Sequence, residues 1–165
     1  MSLPIRVILL PFISMFIGCA SSQQHVIVHK LPNYDPQAIH QLLFLNFMIR
    51  RNEPGKPEQV RLTNAIIGNG EMKDIGDAVH TPYQIKLFEY TNDHQPPKEK
   101  SVEHPLFRSI EIANIDGTFD RKLTSDQEGH FSFRLPYTNT LTKIELYSIT
   151  PDQGKQKIYT LPIKP

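Results

Sequence analysis

With 165 residues, 39% of them hydrophobic and 21% charged, the chain is long enough for one domain with a real core and too short for two comfortable ones. Its 18 Lys and Arg face 17 Asp and Glu for a formal net charge of +1; no basic stripe is visible, which excludes nucleic acid as a partner because such binding needs clustered cations to release counterions. The single cysteine, Cys19, excludes an internal disulfide, so stability rests on packing.

The chain opens with one positive charge, Arg6, then an apolar stretch over residues 7–17, then the small residue Gly18. These are the parts of an export signal. An apolar run of about a dozen residues falls well short of the roughly 20 that span a bilayer as a helix, and Pro4 and Pro11 weaken its helical character. Residues 1–18 are therefore predicted to be removed, which takes away only Arg6 from the charge balance.

Cys19 follows at once, in Phe16-Ile17-Gly18-Cys19-Ala20-Ser21-Ser22. This junction resembles the lipobox of bacterial lipoproteins, with Gly18 and Cys19 on the pattern, Phe16 where Leu is preferred and Ile17 where a small residue is preferred. The resemblance implies that the Cys19 sulfur carries a fatty acyl chain such as palmitate and that the mature protein begins there, tied to a membrane by lipid. It also implies an address: Ala20 stands where an Asp would retain the protein in the inner membrane, so sorting to the outer membrane is expected. The following Ser-Ser-Gln-Gln lacks the acidic cluster that accompanies surface display in Bacteroidota, so the expected face is periplasmic.

Residues 19–40 hold Ser, Gln, three histidines and two prolines around one apolar island, Val26-Ile27-Val28. They read as a tether with one short segment able to add to a sheet edge, and the fold proper is placed at 41–165. From there strands are predicted over 42–50, 59–67, 83–90, 106–113, 118–124, 130–135, 143–149 and 157–163. Several alternate cleanly: Tyr83, Ile85 and Leu87 oppose Gln84 and Lys86, while Phe131, Phe133 and Leu135 oppose His130, Ser132 and Arg134. Turn chemistry separates them, in Asn52-Glu53-Pro54-Gly55, Gly68-Asn69-Gly70, Asp116-Gly117, Asp126-Gln127-Glu128-Gly129 and Pro151-Asp152-Gln153-Gly154. Regularly spaced short strands without sustained helical periodicity predict an all-β chain, a single antiparallel β-sandwich of transthyretin-like or immunoglobulin-like type. The polar stretch 92–103 reads as a long solvated hairpin connection, with recognition as its functional alternative.

No catalytic, cofactor or metal site is predicted. His25 and His29 are four residues apart, but the β-branched residues between them favour an extended chain that disperses them. His40, His80, His94, His104 and His130 have no ligand spacing. Asn114, Asp116 and Asp120, or Asp126 and Glu128, lack the alternation of an EF-hand loop and read as turn residues. There is no Gly-x-Ser-x-Gly elbow, and nothing in the sequence supports a carboxylate pair for glycoside chemistry.

Two further resemblances concern the domain. Residues 123–136, with Asp126, Gly129, Phe131 and Phe133, look like the strand-turn-strand element of carboxypeptidase regulatory-like and transthyretin-like domains. Residues 43–161, with Phe44-Leu45-Asn46-Phe47-Met48-Ile49, Gly70-Glu71-Met72-Lys73, Glu103-His104-Pro105-Leu106 and Phe131-Ser132-Phe133-Arg134, resemble small exported proteins of Bacteroidota. Size, anchor and strand content are also similar to the transthyretin-like lipoproteins that fix type VI secretion machines to the outer membrane. Together they imply a non-enzymatic, lipid-anchored envelope component that binds a protein partner; the alternative class is a carbohydrate- or small-ligand-binding lipoprotein. An aromatic-lined pocket with convergent polar groups would favour a ligand, and an exposed apolar patch or open strand edge would favour a protein.

Overall fold

Alternation of apolar and polar residues builds the layers. In the computed structural model, which describes residues 24–53, 55–73, 81–93 and 95–165, strand β2 (Gln41–Arg50) turns Leu43, Leu45, Phe47 and Ile49 inward, all fully buried. It is the centre of a three-stranded antiparallel sheet, flanked by β3 (Gln59–Asn69) and β8 (Glu128–Tyr137). On β8, Phe133 and Leu135 are buried, while Ser132 and Arg134 are exposed. Phe131 shares their face, half-buried, and stacks on Phe47 with ring centroids 5.2 Å apart.

The facing sheet has five strands in the order β1 (Val26–Ile27), β10 (Gly154–Lys164), β9 (Leu141–Thr150), β4 (Gln84–Thr91) and β5 (Lys98–Glu103). Ile85, Leu87, Ile144, Leu146 and Leu161 from this sheet join the inner row of β2 and β8 in one buried cluster. Each such side chain contributes roughly 1.5–3 kcal/mol by leaving water. All pairings are antiparallel except the short β1–β10 contact. A bulge in β10 between Lys157 and Tyr159 re-aims Tyr159 across the layers, where its ring meets Phe47 edge-on at 5.9 Å. The predicted all-β sandwich is thus the observed class, with no α-helix among the described residues.

Three expectations change. The stretch 92–103 is not one connection, because its second half is the edge strand β5, paired with β4 from Gln84↔Glu103 to Glu89↔Lys98. The strand expected over 106–113 begins only at Ser109. Leu106 instead sits buried in a turn, and Ser109–Ala113 (β6) pairs with Phe119–Leu123 (β7) as a separate two-stranded ribbon. Residues 26–34, expected within the tether, pack on the domain: Val26 and Val28 are buried in the core, with Leu31 and Tyr34 against it.

This N-terminal segment clips the sandwich shut. The Gln24 side-chain amide mimics a strand on the open edge of β3, accepting from the Leu62 N–H at 3.0 Å and donating to the Leu62 carbonyl at 3.1 Å. Tyr159 donates its hydroxyl to the same Gln24 oxygen at 2.8 Å. Beyond it Val26 and Ile27 pair with Ile163 and Lys164. The edge strand β5 is protected differently: its inward positions include Lys98 and Lys100, a charge arrangement that blocks pairing with a further strand.

Candidate functional site

At one end of the sandwich several strands stop around a cleft of about 490 Å³. Arg51, just past β2, is held by its N–H to the Gln127 carbonyl at 2.9 Å. Glu58 precedes β3, Thr150 closes β9, and Asp152 and Gln153 form the following turn. Beyond β5 the chain continues its pairing, His104 donating its N–H to Tyr83 at 3.1 Å, and then turns through Pro105 and Leu106 so that the Phe107 N–H reaches the His104 carbonyl at 3.1 Å. Gly129 of β8 lies against Pro105 and admits this turn because it has no side chain.

The turn buries His104 completely. Its Nδ1 accepts the Leu106 N–H at 3.3 Å, so the hydrogen sits on Nε2, which faces the Ser148 hydroxyl at 3.1 Å and Glu58 Oε1 at 3.7 Å. Ser148 in turn donates to Glu58 Oε1 at 3.3 Å. A nucleophilic serine needs an imidazole nitrogen that accepts its proton, with the carboxylate on the other nitrogen. Here the nitrogen toward Ser148 is the donor and Glu58 lies on the same side, so the trio anchors a carboxylate and does not activate a hydroxyl.

Burial works against ionisation of Glu58, yet the hydrogen bonds from His104, its own backbone and Ser148 outweigh it and hold the carboxyl below its ordinary value. Phe107 forms an aromatic wall, stacked on Tyr83 at 4.7 Å and edge-on to His104 at 4.9 Å. The Arg51 guanidinium lies over the Phe107 ring, 5.0 Å from its centre. Arg51 Nη2 and Glu58 Oε2 are both buried without a hydrogen-bond partner among the described residues.

A second polar network decorates the outer face of the five-stranded sheet. Buried Glu145 accepts hydrogen bonds from Tyr147 (2.9 Å), Tyr90 (3.1 Å) and Lys143 (2.9 Å). Desolvation, the accepted hydroxyl hydrogen and the nearby charge of Glu145 push Tyr147 up to about 12. The aromatic faces here are already covered, Lys143 lying over Tyr90 at 4.2 Å and Lys155 over Phe88 at 4.0 Å. Every strong acceptor and ring is used internally, so the network stiffens the sheet.

The β6–β7 ribbon is the third feature. Every residue of both strands is exposed. Ile110 and Ile112 lie on one face of the ribbon, Phe119 and Leu123 on the other, and Ile115 at the tip is fully exposed. Asp116 shapes that tip, accepting from the Thr118 N–H at 3.0 Å and hydroxyl at 2.7 Å, while Gly117 takes φ +83°. Asp116 therefore acts as the turn residue expected of it.

Cys19, the predicted lipidation site, and residues 1–18 lie outside the described residues, as do His80 and His94. Among the described residues no group of three or more His, Cys, Asp or Glu side chains converges for a metal, and no helix is long and apolar enough to cross a membrane. His104 sits buried behind the cleft, against Ser148 and Glu58. Sequence reasoning missed Arg51, Glu58, Phe107 and Ser148. One signal was present: Ser148 is a polar residue in register with Ile144 and Leu146 on the inner face of β9. Comparison of this chain with family models, curated proteins and solved structures finds no match.

Proposed function

We propose that this chain is a lipid-anchored, non-enzymatic component of a bacterial outer membrane, facing the periplasm and held through an acylated Cys19, that binds an envelope protein partner. The observation that supports protein contact is the β6–β7 ribbon. An isolated two-stranded ribbon is at best marginally stable in water, and this one carries Ile110, Ile112, Ile115, Phe119 and Leu123 exposed. Exposed apolar residues gathered on one projection mark an interaction surface more than scattered ones do. Anchoring would raise the effective concentration of the ribbon at a membrane-bound partner without any new contact. The lipobox resemblance of Phe16-Ile17-Gly18-Cys19 supports the anchor and the compartment.

The test joins both halves of the reading. Metabolic labelling with a fatty-acid analogue should mark the natural chain and leave Cys19→Ala unmarked. Photocrosslinkers placed at Ile112 and Phe119 should trap one dominant envelope protein, and crosslinkers at the exposed Lys155 and Thr142 of the five-stranded sheet should not. Equal labelling of both chains removes the anchor; equal and diffuse crosslinking from all four positions removes the ribbon as contact surface.

A further inference from the structure

The end cleft is separate from the ribbon and offers chemistry that the protein-contact reading does not use. Its two defining groups are opposite in charge and each keeps one unpaired atom, Nη2 of Arg51 and Oε2 of Glu58. The Glu58 side chain is nine-tenths buried. Leaving a buried polar atom unpaired costs free energy, more for a charged group than a neutral one. Neighbouring charges do not relieve it. Lys56 is engaged by Glu53 at 2.6 Å and Arg50 by Glu128 at 2.5 Å, and among the described residues no carboxylate lies within ion-pair distance of Arg51.

Electrostatics narrows what could satisfy both. A bare cation would be repelled by the Arg51 guanidinium, and among the described residues Glu58 gathers no converging set of further ligands. A multiply charged anion would face Glu58 and also Asp152 on the cleft wall. An apolar molecule would fill space against Phe107 and leave both polar atoms unpaired. A carboxylate satisfies Arg51 with charge-assisted hydrogen bonds, and a neighbouring O–H or N–H group of the same molecule satisfies Glu58. Arg51 and Glu58 both line the cleft, and Ser148 and His104 hold the other oxygen of the Glu58 carboxylate, Oε1. A volume of about 490 Å³ falls within the range of small-molecule sites.

We propose that this cleft binds a small organic carboxylate bearing an adjacent hydrogen-bond donor, an amino or hydroxy acid, with the carboxylate on Arg51, the donor on Glu58 and the remainder against the edge of Phe107 that Tyr83 and Arg51 leave open. His104 and Ser148 are positioning residues that fix the Glu58 carboxylate.

A matched series tests this by NMR titration of the isotopically labelled full chain: L-phenylalanine, L-3-phenyllactate and 3-phenylpropionate share one skeleton and differ only in the donor beside the carboxylate. Phenylalanine or phenyllactate should shift the amides of Phe107 and Gln127 and bind at least about tenfold tighter than phenylpropionate, the factor one hydrogen bond to a charged group supplies. Arg51→Met should abolish binding of all three, and Glu58→Gln should bring the first two down toward phenylpropionate. Should Glu58→Gln fail to fold, the ranking on the natural chain still decides. The proposal is overturned if none of the three shifts the cleft amides at millimolar concentration, or if all three bind equally. Equal binding of the amino and hydroxy acids, both tighter than phenylpropionate, supports it and shows that the donor need not be charged.

Discussion

Gly129→Ala probes how the cleft is held. Gly129 pairs with Ile49 on β2 and faces the turn that carries His104. A methyl group there would sit 2.7 Å from Pro105 Cβ and 3.1 Å from both the Pro105 carbonyl carbon and its oxygen. Carbon atoms rest comfortably at about 3.5–4.0 Å, so the overlap is severe and falls on a rigid ring and backbone, with no flexible side-chain end to give way. Relief requires β8 or the 104–106 turn to move, and that turn buries His104 and Leu106. Overpacking of this kind costs about 1–3 kcal/mol, which for a domain of this size lowers Tm by roughly 2–10 °C. Gly68→Ala is the control, since its Cβ would meet only Phe44 Cε2 at an ordinary 3.6 Å. Thermal melts followed by circular dichroism should separate the two variants clearly. If Gly129→Ala melts with Gly68→Ala at the temperature of the natural chain, Pro105 does not pack on β8 as described and the cleft wall is misplaced.

Phe133→Ala should cost about 3–5 kcal/mol, the usual effect of truncating a buried phenylalanine, while the exposed Ser132→Ala should be nearly silent; matching denaturant midpoints for the two would mean the β8 register is wrong. Glu89 points inward from β4 with Oε1 buried and, among the described residues, unpartnered, and burial raises its pKa despite Lys100 and Lys98. A carboxyl whose folded pKa is raised costs stability as pH rises out of the ordinary carboxylate range, and the cost is absent below that range. Glu89→Gln should therefore melt higher than the natural chain at pH 7, with the gain gone below about pH 4; an unchanged or lowered Tm at pH 7 would show that Lys98 and Lys100 already compensate the charge.

Most of the sandwich was legible because its strands have one wet face. The alternation Phe131, Phe133, Leu135 and the row Ile85, Leu87 carry the register directly, and the turn dipeptide Asp116-Gly117 marks its hairpin. Strand β5 was hidden by its own protection: Lys98-Glu99-Lys100 has no apolar alternation because an edge strand keeps charge where a central strand keeps leucine. The N-terminal clip was partly visible as Val26-Ile27-Val28, but its polar surroundings look like linker, and only the pairing with Ile163 and Lys164 gives those residues a core to enter. The cleft was illegible for a different reason. Glu58, His104 and Ser148 come from three distant elements and acquire meaning only when β5 and β9 flank β4 and the 104–106 turn folds against Gly129. No local period encodes that meeting.

The pairing of Val26 and Ile27 with Ile163 and Lys164, and the contact of His29 Nδ1 with the Pro165 carbonyl at 2.9 Å, also sets an order of events. A contact between segments so far apart in the chain closes a long loop and cannot form until both have been made. On the ribosome, β1 is made early and has nothing to pair with until residue 164 has emerged. Only then do Val26 and Ile27 gain their partner strand. A chain crossing a membrane N-terminus first would stay incompletely closed throughout transit, and would lock only on the far side.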